Sequence, residues 1–402
     1  MTPEEVELLS QLTIVIPTYN RPLTLERSIE YWRDLPVTVH ILDGSSRPFF
    51  SGEQLKDLPR ITYHHFPETG NEGPWENYCR RIREASSLPV RKYSALCADD
   101  DAFTVSGLLE ILTTFESDQT VDAMLGRTAS YGMTKTMPTW RVMYSQLKNS
   151  KEFCSEDVSI RLGNPHFAPW LYYGIIRTDL WKHLFQISFY HTIFRTERLM
   201  SVVDKALCRI RLTESIVWLR QELVPFSHDS FRSNRRPHGR RPADWWITYL
   251  SVAQRLLSQN RFVERRKMCR QIVVAILFST PNFSKLKARR IARNCTREVI
   301  FEGNFQLARK KRKIIGQIIK WFSFVSPDIR RRITKALPER LSGALGYFER
   351  SPELSMATSR TDFLSFVSNV KSAGIRIVPD EIESFQRLLL KPREELRLRA
   401  NI

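Results

Sequence analysis

The chain reads as an α/β domain built on a largely parallel sheet, followed by a mainly helical, strongly basic region. Residues 12–17 (Leu-Thr-Ile-Val-Ile-Pro) and 37–42 are continuous apolar runs on either side of a stretch with helical spacing, which is the βαβ pattern. Polar clusters at residues 18–21, 43–46 and 99–101 each follow an apolar run, at the strand ends where such sheets bind ligands. Charge divides unevenly: the formal net charge of +19 is made of −3 over residues 1–227 and +22 over residues 228–402. That split predicts two regions, the basic one facing an acidic partner or surface.

The first strand is expected at residues 12–17, buried on both faces because it carries no polar alternation. Thr18-Tyr-Asn-Arg-Pro follows as a turn, and Leu25, Ile29 and Trp32 mark one face of a helix. Residues 37–42 form the second strand and end in Asp43-Gly-Ser-Ser. A third is expected at 61–66, a loop at 70–74, and a helix at 75–85 with Asn77 near its start. The run from Tyr93 then stops at three consecutive carboxylates, Asp99, Asp100 and Asp101. Two readings fit them. Hard divalent ions take carboxylate oxygens, and in an extended segment Asp99 and Asp101 share a face. Equally, Asp is favoured just before a helix, and residues 105–115 have helical spacing.

The composition, 42% hydrophobic and 26% charged in 402 residues, is that of a folded protein of one large and one smaller domain. Six cysteines are scattered without a C-x-x-C pair, which argues against a structural zinc site or a disulfide framework. The acidic N-terminus lacks a signal-peptide pattern, and no apolar run approaches the roughly 20 residues that span a bilayer. A cytoplasmic location is expected. No G-x-G-x-x-G or Walker-type Gly-Lys-Ser/Thr follows the first strand, which sets aside dehydrogenases and P-loop enzymes.

Taken together, residues 13–21 (Thr-Ile-Val-Ile-Pro-Thr-Tyr-Asn-Arg), 41–46 (Ile-Leu-Asp-Gly-Ser-Ser) and 98–101 (Ala-Asp-Asp-Asp) resemble family 2 glycosyltransferases of the GT-A fold. The resemblance covers roughly the first 230 residues. It implies a Rossmann-like mixed sheet with flanking helices, a nucleotide-sugar donor and a divalent metal, Mn²⁺ or Mg²⁺. It places Thr18, Tyr19 and Arg21 beside the nucleotide and Asp43 on the base or ribose. Asp99, Asp100 and Asp101 then fall in the D-x-D region that holds the ribose and the metal-bound diphosphate, with Asp101 as a metal ligand.

The same resemblance directs attention downstream, past a strand at 169–177 and a helix opened by Asp179, to an acid that begins the next helix about one short element later. Glu197 is the candidate catalytic base, although the family more often has an Asp preceded by another acid and Thr196 stands in that place here. An ordinary acid in a helix's first turn is the competing reading, and Asp204 is the fallback. His228 follows the last expected strand, at 215–224, where many GT-A enzymes carry a metal or diphosphate ligand; an exposed loop histidine is the alternative. Arg232, Arg235 and Arg236 could close over phosphates or simply be solvated. Gly174 could allow close approach of the donor, or mark a bulge, and His166 and Trp170 could line the acceptor site.

The expected organisation is a GT-A domain over 1–230, a basic linker over 231–242 and a helical basic domain over 243–402. Within the last, residues 309–322 place five basic residues before an isoleucine-rich helical face, which suits either an anionic membrane surface or core packing with a solvated flank. No nucleic-acid reader motif is present. Residues 361–398 read as two helices around 374–379. The sequence therefore predicts a metal-dependent, inverting glycosyltransferase acting on a glycan or lipid-linked acceptor, with possible peripheral membrane contact. A nucleotidyltransferase would want a basic, glycine-rich loop after the first strand, which residues 17–21 do not supply. A non-catalytic GT-A-like scaffold whose basic half binds membrane or nucleic acid is the alternative.

Overall fold

The computed structural model describes residues 1–70, 72, 74–88, 91–133, 137–143, 151–156, 161, 173–188, 208–222 and 361–398. The linker at 231–242 and the expected helices between 243 and 360, including the basic segment at 309–322, lie outside them. By internal contacts residues 1–157, 167–240 and 354–402 form one unit and residues 158–166 and 241–353 a second.

The first unit is centred on a mixed sheet in the order β3-β2-β1-β4-β8-β6-β9-β5, with β7 paired to β6. The strands are β1 (Leu12–Thr18), β2 (Thr38–Asp43), β3 (Ile61–His65), β4 (Tyr93–Leu96), β5 (Ala102–Phe103), β6 (Ala123–Met133), β7 (Pro138–Met143), β8 (Ile175–Arg177) and β9 (Ile210–Gln221). β1 pairs in parallel with β2 and β4, and β2 with β3, so the first half is the expected parallel sheet. The second half is mixed. β8 runs antiparallel to β4 and β6, whereas β9 runs parallel to β6.

Every residue of β1 is buried, as its unbroken apolar run requires. Helix α1 (Pro3–Ser10), not foreseen from the sequence, is started by a capping box in which Thr2 and Glu5 satisfy each other's backbone N–H groups at 2.8 and 3.3 Å. Helix α2 (Pro22–Trp32) begins with proline at its first turn and buries Leu25, Ile29 and Trp32 against Phe103 and the sheet. After α3 (Gly52–Leu55), α4 (Pro74–Ala85) and α5 (Val105–Ser117), α6 (Thr178–Ser188) follows directly on β8.

The C-terminal stretch folds back onto this sheet. Helices α7 (Phe363–Ser372) and α8 (Pro379–Leu390) flank Gly374, whose φ of +71° lies in the left-handed region that glycine adopts without strain. Their apolar faces, with Phe366, Val370, Ile382 and Phe385, form a second core with Tyr131 and Trp140 of the β6–β7 hairpin. The Trp140 indole donates to Gln386 Oε1 at 3.0 Å. Beyond α8, Lys391, Arg393 and Arg397 meet Glu26 and Glu30 on α2 and Asp34 in the turn that follows it. Glu26 and Glu30, four residues apart, stand one above the other on the helix surface. Among the described residues no helix is long and apolar enough to cross a membrane.

Candidate functional site

Parallel pairing brings the ends of β1 and β2 into register, with Thr18 opposite Asp43. β4 ends on the other side of β1, and three residues later the chain turns through Asp99–Asp101. The Thr18 hydroxyl donates to Asp99 Oδ2 at 2.7 Å. The Arg21 guanidinium forks across two acids, reaching Asp99 Oδ1 at 2.7 Å and Asp100 Oδ2 at 2.6 Å. Four of the residues singled out from the sequence, Thr18, Arg21, Asp99 and Asp100, thus form one contiguous cluster.

Asp101 faces elsewhere. Its backbone N–H closes a turn onto the Ala98 carbonyl at 3.1 Å, so the alternation of an extended segment is broken before it can align Asp99 with Asp101. Asp101 Oδ2 instead accepts from the Trp218 indole and Oδ1 from the Gln221 backbone N–H, both at 3.0 Å. Trp218 in turn stacks on the Tyr173 ring, 4.3 Å away, and the Arg220 guanidinium lies 5.4 Å from its ring centre. Burial pushes the Asp99 carboxyl up to about 7, with the Arg21 charge opposing it, and pushes Asp101 well above the usual carboxylate range.

Asp43 is fully buried and already engaged. Its Oδ1 accepts from the Ser45 backbone N–H at 2.8 Å and from the Ser45 hydroxyl, and its Oδ2 accepts from the Tyr63 hydroxyl. Ser45 Oγ also accepts from the Asn20 N–H at 2.9 Å, tying the loop after β1 to the loop after β2. Asn20 sits at φ 54°, a left-handed conformation that Asn tolerates better than most residues. Beneath both loops, buried Arg81 donates to the carbonyls of Thr18 (2.7 Å) and Leu42. Gly44 passes so close that a Cβ there would lie 2.3 Å from Asn77 Oδ1 and 2.7 Å from the Arg81 guanidinium carbon.

The remaining expectations divide. Tyr19 directs its hydroxyl to Glu68 at 2.7 Å. Gly174 is buried and adjoins Tyr173, the residue that stacks on Trp218. Glu197, His228, His166, Trp170, Asp204, Arg232, Arg235 and Arg236 lie outside the described residues. Sequence reasoning passed over Ser45, Tyr63, Arg81 and Trp218. Ser45 lay inside a motif that was noticed, but an arginine in a helix and a tryptophan in an apolar strand carry no local mark of what they touch.

Among the described residues no group of three or more His, Cys, Asp and Glu side chains is arranged to hold a metal ion. The chemistry of the turn nevertheless suits a hard divalent cation. Such ions are commonly held by one or two carboxylates and complete their shell with water and substrate phosphate oxygens. Asp99 and Asp100 lie side by side under the one Arg21 guanidinium, each engaged by it through a single oxygen, and so present two carboxylates together at the strand ends.

Residues 13–188 match the sequence model of the family described as glycosyl transferase family 2. No curated protein sequence matches the chain. Among solved structures, S. aureus TarS 1-349 superposes with a TM-score of 0.42 at 13% identity, over 72% of this chain and 81% of that one. The same TarS fragment in complex with UDP-GlcNAc gives 0.43 at 14% identity, over 73% and 82%. Likenesses of that size support no assignment of substrate.

Proposed function

We propose that the chain, whose residues 13–188 match the glycosyl transferase family 2 model, is a glycosyltransferase that moves a sugar from a nucleotide-sugar donor to a hydroxyl of a glycan or lipid-linked acceptor. The observation that carries this is the cluster of Thr18, Arg21, Asp99 and Asp100 at the ends of adjacent parallel strands, with Asp43 one strand away. That is where an α/β sheet offers a crevice to a ligand. Asp43, held rigidly by Ser45 and Tyr63, borders the base and ribose, and Tyr19 and Gly174 complete the donor side.

Asp99, Asp100 and Asp101, with His228, are the groups that would hold Mn²⁺ or Mg²⁺. When bound, the ion offsets the negative charge that builds on the departing diphosphate. The protein's own part is to aim these carboxylates and to oppose the protonation that their burial favours. Trp218 and the Gln221 N–H do so for Asp101, and Thr18 and Arg21 for Asp99. Glu197 is assigned to take the proton of the attacking hydroxyl in a single displacement that inverts the anomeric centre. The basic half of the chain would keep this enzyme at the cytoplasmic face of an anionic membrane, near a lipid-linked acceptor.

Calorimetric titration with UDP-, GDP-, CDP- and dTDP-sugars, with and without Mn²⁺, tests the donor site. Cation-dependent binding of one nucleotide is expected, and its loss in the Asp99→Ala, Asp101→Ala double variant. No binding under any of these conditions would sink the assignment and favour a GT-A-like binding scaffold. Charge reversal across the basic residues at 309–313 in the full chain, read by sedimentation with anionic vesicles, tests the membrane contact separately. Unchanged sedimentation would refute it.

A further inference from the structure

Arg21 is the N-cap residue of α2, yet its side chain makes no capping hydrogen bond. It crosses instead to Asp99 and Asp100, one nitrogen to each. The geometry separates the partners by depth: the Asp99 and Asp100 side chains are 3% and 9% exposed, the Arg21 side chain 36%. The acids are built into the protein, and the guanidinium covers them from the solvent side on a stem that can move. One positive charge is thus spread over two carboxylates, one oxygen of each.

We infer that Arg21 is an exchangeable counter-ion, seated on Asp99 and Asp100 in the donor-free protein and transferred to the donor's diphosphate when a divalent cation takes those carboxylates. The inference rests on the donor site proposed above and adds a role to it. A cation that binds the oxygens now held by Arg21 must displace the guanidinium, because both seek the same lone pairs. The released guanidinium presents parallel N–H donors whose spacing matches phosphate oxygens. The deeply set turn therefore keeps a cation in both states, and bare, mutually repelling carboxylates are avoided in each.

This exchange has consequences of opposite sign for the two ligands, which a residue that merely built the site would not show. In the full chain carrying Arg21→Met, Mn²⁺ alone, followed through the electron paramagnetic resonance of the free ion, is expected to bind about tenfold more tightly than to the unaltered protein, the size of one lost charge-assisted competitor. In saturating Mn²⁺, whichever of UDP, GDP, CDP and dTDP binds best should bind about tenfold more weakly to the variant by calorimetry. Arg21→Lys keeps the charge but not the fork. It should leave Mn²⁺ affinity near the original while still weakening the nucleotide, and it serves if the methionine variant does not fold. Mn²⁺ affinity that is unchanged or lower in Arg21→Met overturns the exchange and leaves the donor site standing. A folded, unaltered protein that binds neither Mn²⁺ nor nucleotide overturns the donor site and the exchange together.

Discussion

Arg393 reaches back across the fold to Glu26 through a two-pronged ion pair, Nε to Oε2 at 2.9 Å and Nη2 to Oε1 at 2.7 Å. The Glu26 side chain is fully buried and that of Arg393 is 37% exposed. Removing one partner of a fully buried pair costs about 3–5 kcal/mol, because the other charge is stranded. Here solvent reaches the arginine side, so screening lowers the expected cost of Arg393→Ala to about 2 kcal/mol. That corresponds to a roughly thirtyfold rise in the opening constant of the segment it anchors. Amide hydrogen exchange across α8 is the assay, because local opening of a docked element is read directly there. Exchange should also rise at the start of α2, which follows Arg21 immediately. Combining Arg393→Ala with Glu26→Gln should cost less than the sum of the two single changes, since the double variant strands no charge. Unchanged exchange at residues 379–390, or simple additivity, would refute the reasoning that this pair fastens the C-terminal stretch to α2.

Trp218→Phe keeps a ring to stack on Tyr173 but deletes the donor to Asp101, a hydrogen bond of about 1 kcal/mol, so Mn²⁺ binding should weaken about fivefold; an unaltered Mn²⁺ titration would contradict it. Asp99, raised by burial to about 7, holds a proton in the folded state that the unfolded chain gives up near the ordinary carboxylate value, so its contribution to stability is present below that value and lost as pH rises through about 7. Thermal melts of the donor-free protein should accordingly show a shallower loss between these limits for Asp99→Asn, and identical slopes would be the contrary result. Finally, a Cβ at Gly126 would sit 2.0 Å from Val217 Cγ2 and 2.4 Å from its Cβ, where β6 and β9 pair through a register shift; Gly126→Ala should lose about 3 kcal/mol in urea unfolding, partly restored by adding Val217→Ala, and a neutral substitution would show that the strands can separate.

The opening βαβ unit was legible because its strands are buried on both faces and so carry unbroken apolar runs, while α2 repeats its apolar residues with helical spacing. The β6–β7 hairpin was not, since residues 123–133 mix Gly126, Arg127, Thr128 and Gly132 into a strand whose sides face different neighbours. The two C-terminal helices were legible from their spacing and from Gly374, but not their destination on the sheet. Residues 361–398 were expected as part of a separate basic region, and nothing within them names Trp140 or Glu26 as partners.

Amino-acid order alone settled the α/β class, the three polar clusters at strand ends and the family resemblance, because periodicity, turn chemistry and short motifs are written within a few neighbouring residues. Only the tertiary structure decided that Arg21 spans Asp99 and Asp100, that Asp101 turns away to Trp218, and that Asp43 is enclosed by Ser45 and Tyr63. Thr18 and Asp99 stand 81 residues apart in the chain, and Glu26 and Arg393 stand 367 apart. Contacts over such separations depend on which strands pair and where each chain reversal falls, and one tight turn from Ala98 to Asp101 is enough to redirect a carboxylate.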